Sequence, residues 1–174
     1  MIETTIESAL NAQLEKEAFA SNSYLAMAVW CDQQSLEGCA QFFYRQSEEE
    51  RLHMMKILHY LIERNGQVRM PAIQQPQIQY SNIQEVFQNT FRQEQSVTQS
   101  IYELVNIAQS KLDHSTQNFL QWYVTEQREE EATILKILDR IRLIGDGPLS
   151  LYYIDQEVDK INRQIQTEAS GNNE

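Results

Sequence analysis

Four acidic side chains and one imidazole occupy positions where the surrounding sequence calls for apolar residues. Residues seven apart on an α-helix lie almost in line, drifting only ~20° per heptad. One such line joins Leu10, Glu17 and Tyr24, with Leu14 and Leu25 beside it. A second joins Phe43, Glu50 and Ile57, and His53 stands one turn from Glu50 on the same face. Phe87, Glu94 and Ile101 form a third. The fourth is Leu120, Gln127 and Ile134, with Tyr123, Glu130 and Ile137 alongside. Acidic runs such as Ser47-Glu48-Glu49-Glu50 or Glu126 to Glu131 usually mark a solvated helix face, and that reading fits Glu48 and Glu131. It fits Glu17, Glu50, Glu94 and Glu130 badly, because their heptad neighbours are Leu, Phe, Ile and Tyr.

Four carboxylates and an imidazole that converge in a core cannot all remain charged without compensation. The penalty is of order several kcal/mol per buried ion, and no Lys or Arg lies on these stripes. Protonation could neutralise some of the acids. Divalent metal answers the problem better, and oxygen ligands with one His suit iron or manganese more than zinc or copper. Two adjacent ions bridged by Glu50 would use the set economically: Glu17, Glu50 and His53 for one, Glu50, Glu94 and Glu130 for the other.

The elements that must position these residues are long helices. Periodic segments run from about Thr5 to Gln33, from Leu36 to Arg64, from Ile83 to Leu112, and from the Asp113–Ser115 break to Ile144. Asn65-Gly66 stops the second, and Ser81 or Asn82 can cap the third with Glu85 as acidic partner. Gly145-Asp146-Gly147-Pro148 is a turn that opens a shorter fifth helix, expected through about Ile161. From Gln166 the sequence is polar, and a frayed tail is expected. Helices one and two are joined tightly, as are three and four, so each pair should form an antiparallel hairpin. The Gly66–Asn82 connector can reach ~50 Å when extended, against roughly 40–45 Å for a helix of nearly thirty residues. It can therefore run the whole bundle and start the third helix parallel to the second.

This topology brings the acids to one height. Glu17 and Glu50 lie at similar distances either side of the first hairpin turn, as do Glu94 and the Gln127/Glu130 pair about the second. The two halves form a weak internal repeat, in which Glu49, Glu50 and His53 correspond to Glu126, Gln127 and Glu130.

Bulk properties narrow the setting. The 174 residues suit one domain with a sizeable core. Five Gly and three Pro favour long helices over a β-sandwich or a disordered chain. A formal charge of -11 and a pI near 4.7 make nucleic acid and anionic membrane poor partners and cations better ones. Cys31 and Cys39, eight apart, have neither metal-ligand spacing nor a disulfide framework and read as small, partly buried thiols. The N-terminus has no basic region leading into an apolar run, and no stretch approaches ~18 apolar residues. Neither a signal peptide nor a membrane span is expected, and a cytoplasmic location follows.

With Glu17, Tyr24, Glu50-x-x-His53, Glu94, Gln127 and Glu130 in place, the chain resembles the ferritin family, in particular its bacterial non-haem branch. The likeness covers essentially the whole chain, with residues 1–165 as a ferritin-like di-iron domain and 166–174 as the polar tail. It implies an all-α four-helix bundle with a long crossover between helices two and three and a short fifth helix. It also implies a ferroxidase centre. Glu17, Glu50 and His53 would hold the first iron, and Glu50, Glu94 and Glu130 the second. Gln127 would lie near the centre, and Glu49, Glu126 and Glu129 with Glu130 would form a third iron site. Di-iron relatives with two Glu-x-x-His motifs differ here, because the second reads Gln127-x-x-Glu130. Arg51 stands where bacterioferritin carries its haem-ligating Met, so haem is not expected. Animal ferritins line a three-fold pore with an acidic pair, where this chain offers Gln117 and Leu120.

The expected activity is oxidation of Fe(II) to Fe(III) with oxygen or peroxide as acceptor, followed by storage in the cavity of a homo-oligomeric shell. The likeness puts that shell at 24 subunits. Tyr24 could hydrogen-bond a metal ligand or donate an electron, whereas Trp122 reads as structural and His59 and His114 as surface or helix-end residues. A non-storage di-iron oxidase or peroxidase is the first alternative. A scaffold bundle with merely solvated acids is the second.

Overall fold

The structure, a computed structural model, describes residues 2–171. They form five helices and no strand among the described residues: α1 (Thr4–Gln33), α2 (Glu37–Glu63), α3 (Ile83–Ser110), α4 (His114–Ile144) and α5 (Ser150–Gly171). The helix ends follow from local chemistry. Glu3 accepts from the amides of Thr5 and Ile6 at the start of α1. Asn82 Oδ1 accepts from Glu85 N at 2.8 Å, while Glu85 reaches back to Ser81 N at 2.7 Å, so α3 begins with a reciprocal cap. Asp113 caps α4 through Thr116 N at 3.0 Å.

Helices α1, α2 and α3 end alike. Ser35, Asn65 and Leu112 take positive φ of 59°, 55° and 54°. The next amide bonds back to the carbonyl of Cys31, Leu61 or Ala108 at 2.8–3.0 Å, which satisfies carbonyls the helix leaves open. Asn65, not Gly66, is the left-handed residue at the stop expected from sequence. Asn tolerates that region better than most non-Gly residues.

The long connector runs along α1 from one end of the bundle to the other. Asn11 clamps its beginning, donating to Gln67 O at 2.9 Å and accepting from Arg69 N at 2.7 Å. At the far end Tyr80 meets Trp30 edge-on, with centroids 5.6 Å apart. Thus α3 starts beside the end of α1 and runs parallel to α2. Ser100 on α3 reaches Gln13 on α1, while Thr90 reaches Met27, as that direction requires.

The apolar interior falls into two clusters with a polar layer between them. One contains Met27, Phe42, Phe43, Phe87, Ile134 and Ile137, and the other Leu10, Leu14, Ile57, Leu61, Ile101 and Leu120. The heptad neighbours of the acids are fully buried, as their spacing predicts. Leu25, expected beside the first stripe, is exposed at 44%. Cys31 and Cys39 are fully buried free thiols, more enclosed than expected. Burial pushes Cys31 up to about 12 and raises Cys39 too, which leaves both unreactive.

Helix α5 continues to Gly171, past the end near Ile161 expected from sequence. Residues 172–174 of the expected tail lie outside the described residues. The first part of α5 packs Ile154, Val158 and Ile161 into the first cluster. It also mends a defect in α2, whose N-cap Leu36 has no side chain to bond an open amide. Asp155 Oδ1 accepts from Cys39 N at 2.8 Å instead. The approach is close enough to require Gly38: a Cβ there would lie 2.4 Å from the carbonyl oxygen of Asp155.

Candidate metal centre

The polar layer is built from one or two turns of each helix in the bundle. Glu17 on α1, Glu50 and His53 on α2, Glu94 on α3, and Gln127 and Glu130 on α4 are all buried, none more than 6% exposed. All six come from the predicted stripes, so acids solvated on an outer face are ruled out for this set. One ligand atom from each of Glu17, Glu50 and His53 lies within 4.8 Å of the others, a cluster able to hold a metal ion.

Three buried polar atoms in that cluster have no hydrogen-bond partner, Glu17 Oε2, Glu50 Oε2 and His53 Nδ1, the last two facing each other at 3.4 Å. Orphaned groups of this kind are costly in a folded interior. Two oxygens and one imidazole nitrogen converging from three helical turns form a donor set that a divalent cation satisfies at once, and the residues fit iron on that ground.

Four of the other carboxylate oxygens are held by protein donors. Gln13 Nε2 donates to Glu17 Oε1 at 2.8 Å, and Ser100 Oγ donates to Gln13 Oε1 at 2.7 Å. Gln127 Nε2 donates to Glu94 Oε2 at 2.9 Å, and the Tyr24 hydroxyl donates to Glu94 Oε1. Gln46 Nε2 donates to Glu130 Oε2 at 2.8 Å. His53 is fixed from outside: Tyr123 donates to its carbonyl at 2.7 Å, and Trp122 packs edge-on against its ring with centroids 5.1 Å apart.

Without a bound cation, the acids are pushed toward their neutral forms. Burial, then the neighbouring Glu50 charge, raises Glu17 well above the usual carboxylate range. Burial raises Glu50 to about 8, and the charges of Glu130, Glu49 and Glu126 add to it. Glu130 also rises to about 8, through burial and then the charges of Glu94 and Glu49. Glu94 rises to about 7 by burial, opposed by its bond from Gln127. A metal ion arriving here displaces protons and takes over the charge balance.

The further acids lie at the rim. Glu49 is half-buried and ion-paired with Arg45. Glu126 is half-buried, its carboxyl raised by burial and by the charges of Glu49 and Glu129. Glu129 is exposed and meets Arg128 at 3.3 Å. Among the described residues only Glu17, Glu50 and His53 come together as a cluster of three ligands. Glu131 is half-buried and accepts from Thr98 at 2.5 Å, so it is less solvated than expected. Trp122 is 38% exposed, with the Lys56 ammonium 4.3 Å above its ring. It roofs His53 from the surface and is not part of the deep core.

The supporting residues Gln13, Gln46, Arg45 and Ser100 escaped the sequence reading. Gln13 and Gln46 each stand four residues before a stripe acid, Glu17 and Glu50, and that spacing is the signal they carried.

Comparison with known proteins covers most of the chain. The model of the ferritin-like domain matches residues 7–144. The chain is 40% identical over 161 residues to a bacterial non-heme ferritin of Campylobacter jejuni, covering 92% of this chain and 96% of that one. It is 39% identical over 155 residues to the bacterial non-heme ferritin of Escherichia coli O157:H7, covering 89% and 94%. Among solved structures, an open pore ferritin from the hyperthermophilic archaeon Archaeoglobus fulgidus superposes with a TM-score of 0.88 at 36% identity. That match covers 91% of this chain and 98% of the archaeal one.

Proposed function

The chain belongs to the ferritin-like family, and on that premise we propose that it is an iron-storage subunit that oxidises Fe(II) in its polar layer. Iron here is the substrate. Glu17, Glu50 and His53 take the first Fe(II), and Glu50, Glu94 and Glu130 take the second, with Glu50 between them. Each Fe(II) gives up one electron, so the pair together reduces oxygen by two electrons, to the level of hydrogen peroxide, with two protons taken up. The chain's own part is to bind both ions side by side, to keep the layer dry between two apolar clusters, and to exchange carboxyl protons for metal.

Tyr24 and Gln127 hold Glu94 in position. Glu49, Glu126 and Glu129, with Glu130, take a further iron at the rim. The ferric product collects in the cavity of a homo-oligomeric shell of 24 subunits. No helix among the described residues is long and apolar enough to cross a membrane, and we place the protein in the cytoplasm. The observation that carries this reading is the set of three orphaned atoms, Glu17 Oε2, Glu50 Oε2 and His53 Nδ1, buried at one level of the bundle.

The test is anaerobic Fe(II) binding followed by oxygen, with wild type compared against Glu50→Ala and His53→Ala on assemblies of verified size. Rapid oxidation at two or three irons per subunit, lost or much slowed in both variants, is expected. Continued iron uptake far beyond that stoichiometry establishes storage. Fast turnover without retained mineral would make the protein a di-iron oxidase instead, and oxidation unchanged in both variants would place the chemistry elsewhere.

A further inference from the structure

A chain of hydrogen bonds leads from the fifth helix into the metal layer. Asn162 Oδ1 on α5 accepts from Arg45 Nε at 2.6 Å. Arg45 Nη2 donates to Gln46 Oε1 at 2.6 Å, and Gln46 Nε2 donates to Glu130 Oε2 at 2.8 Å. Asn162 and Gln46 are only 3% and 1% exposed, and the side chain of Arg45 only 14%.

The chemistry of the middle member gives this chain its meaning. A primary amide has a donor end and an acceptor end of nearly the same shape. If Gln46 turned its oxygen toward Glu130, it would repel an ionised carboxylate; turned the other way, it holds one. Arginine has only donors, so Arg45 binds the oxygen end of Gln46 and leaves the N–H end for Glu130. Asn162 in turn holds the guanidinium. Gln13 is placed comparably beside Glu17, its oxygen 2.7 Å from Ser100 Oγ. A serine hydroxyl can accept as well as donate, and this one also reaches Val97 O at 2.8 Å, so it does not fix the amide as an arginine does.

We propose that Asn162 and Arg45 are positioning residues that orient the Gln46 amide toward Glu130, and so couple docking of α5 to the affinity of the second metal position. The inference rests on the two-metal reading above. Arg45 also pairs with Glu49, so substituting it would disturb the rim as well; Asn162 and Gln46 give the cleaner variants.

The experiment is anaerobic titration of assembled shells with Co(II) alone, followed by calorimetry and by the intensity of the cobalt ligand-field bands. At least two binding events per subunit are expected for wild type, with the rim acids able to add a weaker third. Asn162→Ala should free the Gln46 amide to turn and weaken the second event, by up to the roughly ten-fold that loss of a metal ligand's own outer partner costs, and leave the first little changed. Asn162→Asp, which keeps an acceptor for Arg45, should restore it. Gln46→Met should weaken the second event likewise, and adding Asn162→Ala to it should cost nothing more. Two wild-type events left unchanged by Asn162→Ala, or effects of the two substitutions that multiply, would overturn the link alone. If Asn162→Ala does not assemble, Gln46→Met still decides, because it leaves the contact between α5 and Arg45 in place; an unaltered second event there overturns the proposal. Fewer than two wild-type events would remove the two-metal reading and the link with it.

Discussion

The hydroxyl of Tyr24 on α1 donates to Oε1 of Glu94 on α3, seventy residues further along the chain, and both side chains are fully buried. The bond crosses between the two hairpins, at the level where the apolar clusters give way to carboxylates. Gln127 holds the other oxygen of Glu94, so this carboxylate has both oxygens engaged before any metal arrives. A metal bound by Glu94 must share or displace one of these donors, which makes Tyr24 a direct control on the second position.

Tyr24→Phe keeps the ring stacked on Phe43, whose centroid lies 6.0 Å away, and removes only the donor. A buried oxygen left without its partner costs about 1–3 kcal/mol, so the metal-free protein should melt several degrees lower. Binding at the second position, and with it oxidation of the iron pair, should weaken or slow by roughly ten-fold, while shell assembly stays intact. Stopped-flow oxidation and calorimetric melting check both halves, and a variant identical to wild type in both would remove Tyr24 from the site.

The raised carboxyl pKa values set opposite pH trends for the empty and metal-loaded protein. An ordinary Glu ionises near 4.5, whereas native Glu94 does so at about 7 and Glu50 and Glu130 at about 8. Between those values the unfolded chain has released protons that the native state still holds. The metal-free protein therefore loses stability as pH rises from about 4.5 to about 8, and the loss levels off above that. Metal binding needs those protons gone, so Zn(II) should raise the melting temperature more at about pH 8 than at about pH 6. Glu50→Gln should make the metal-free decline shallower and remove most of the Zn(II) effect. A metal-free melting temperature that climbs over this range, or a Zn(II) shift that shrinks, would contradict the assignment.

The buried acids were legible in the sequence because the i, i+7 line through Leu10, Glu17 and Tyr24 is a property of one helix and needs no knowledge of its neighbours. The supporting bonds were not legible, because they run between helices. Gln46 lies on the same face as Glu50 yet binds Glu130 on α4; which carboxylate it meets depends on how far α4 is shifted along α2. The setting of Trp122 was not legible for a related reason. Its helical spacing suits a packed aromatic, but that the ring lies over His53 and partly in solvent depends on how α4 sits against α2. The cap that Asp155 gives to α2 depends on where α5 folds back, and no local pattern around Leu36 announces it.

Docking of α5 should be sensitive to a single methyl group. A Cβ at residue 38 would stand 2.4 Å from Asp155 O and 2.8 Å from Asp159 Cβ, and the first of these is backbone that cannot swing aside. Gly38→Ala should therefore push α5 off α2 and break the bond from Cys39 N to Asp155. The expected cost is about 1–3 kcal/mol, as for overpacking elsewhere, with a further ~1 kcal/mol from the lost cap. Thermal melting and size-exclusion chromatography measure it. A variant that melts and assembles like wild type would mean that α5 is not seated as described.

Trp122 offers a direct optical report on the first metal position. Its indole lies edge-on to His53 and at 90° to Tyr123, with Lys56 above it and 38% of its surface exposed. The other tryptophan, Trp30, is buried in the apolar cluster against Tyr80 and touches none of the ligands. A paramagnetic ion bound at His53 should quench Trp122 and leave Trp30 nearly unchanged. Anaerobic Co(II) titration should therefore remove the Trp122 contribution to the fluorescence and leave that of Trp30. The drop should end at the first equivalent, because His53 serves the first ion and Glu94 and Glu130 the second. Trp122→Phe should abolish the drop while preserving binding, and His53→Ala should abolish both. A break at the second equivalent would exchange the order of filling, and quenching that survives Trp122→Phe would locate the ion near Trp30 instead.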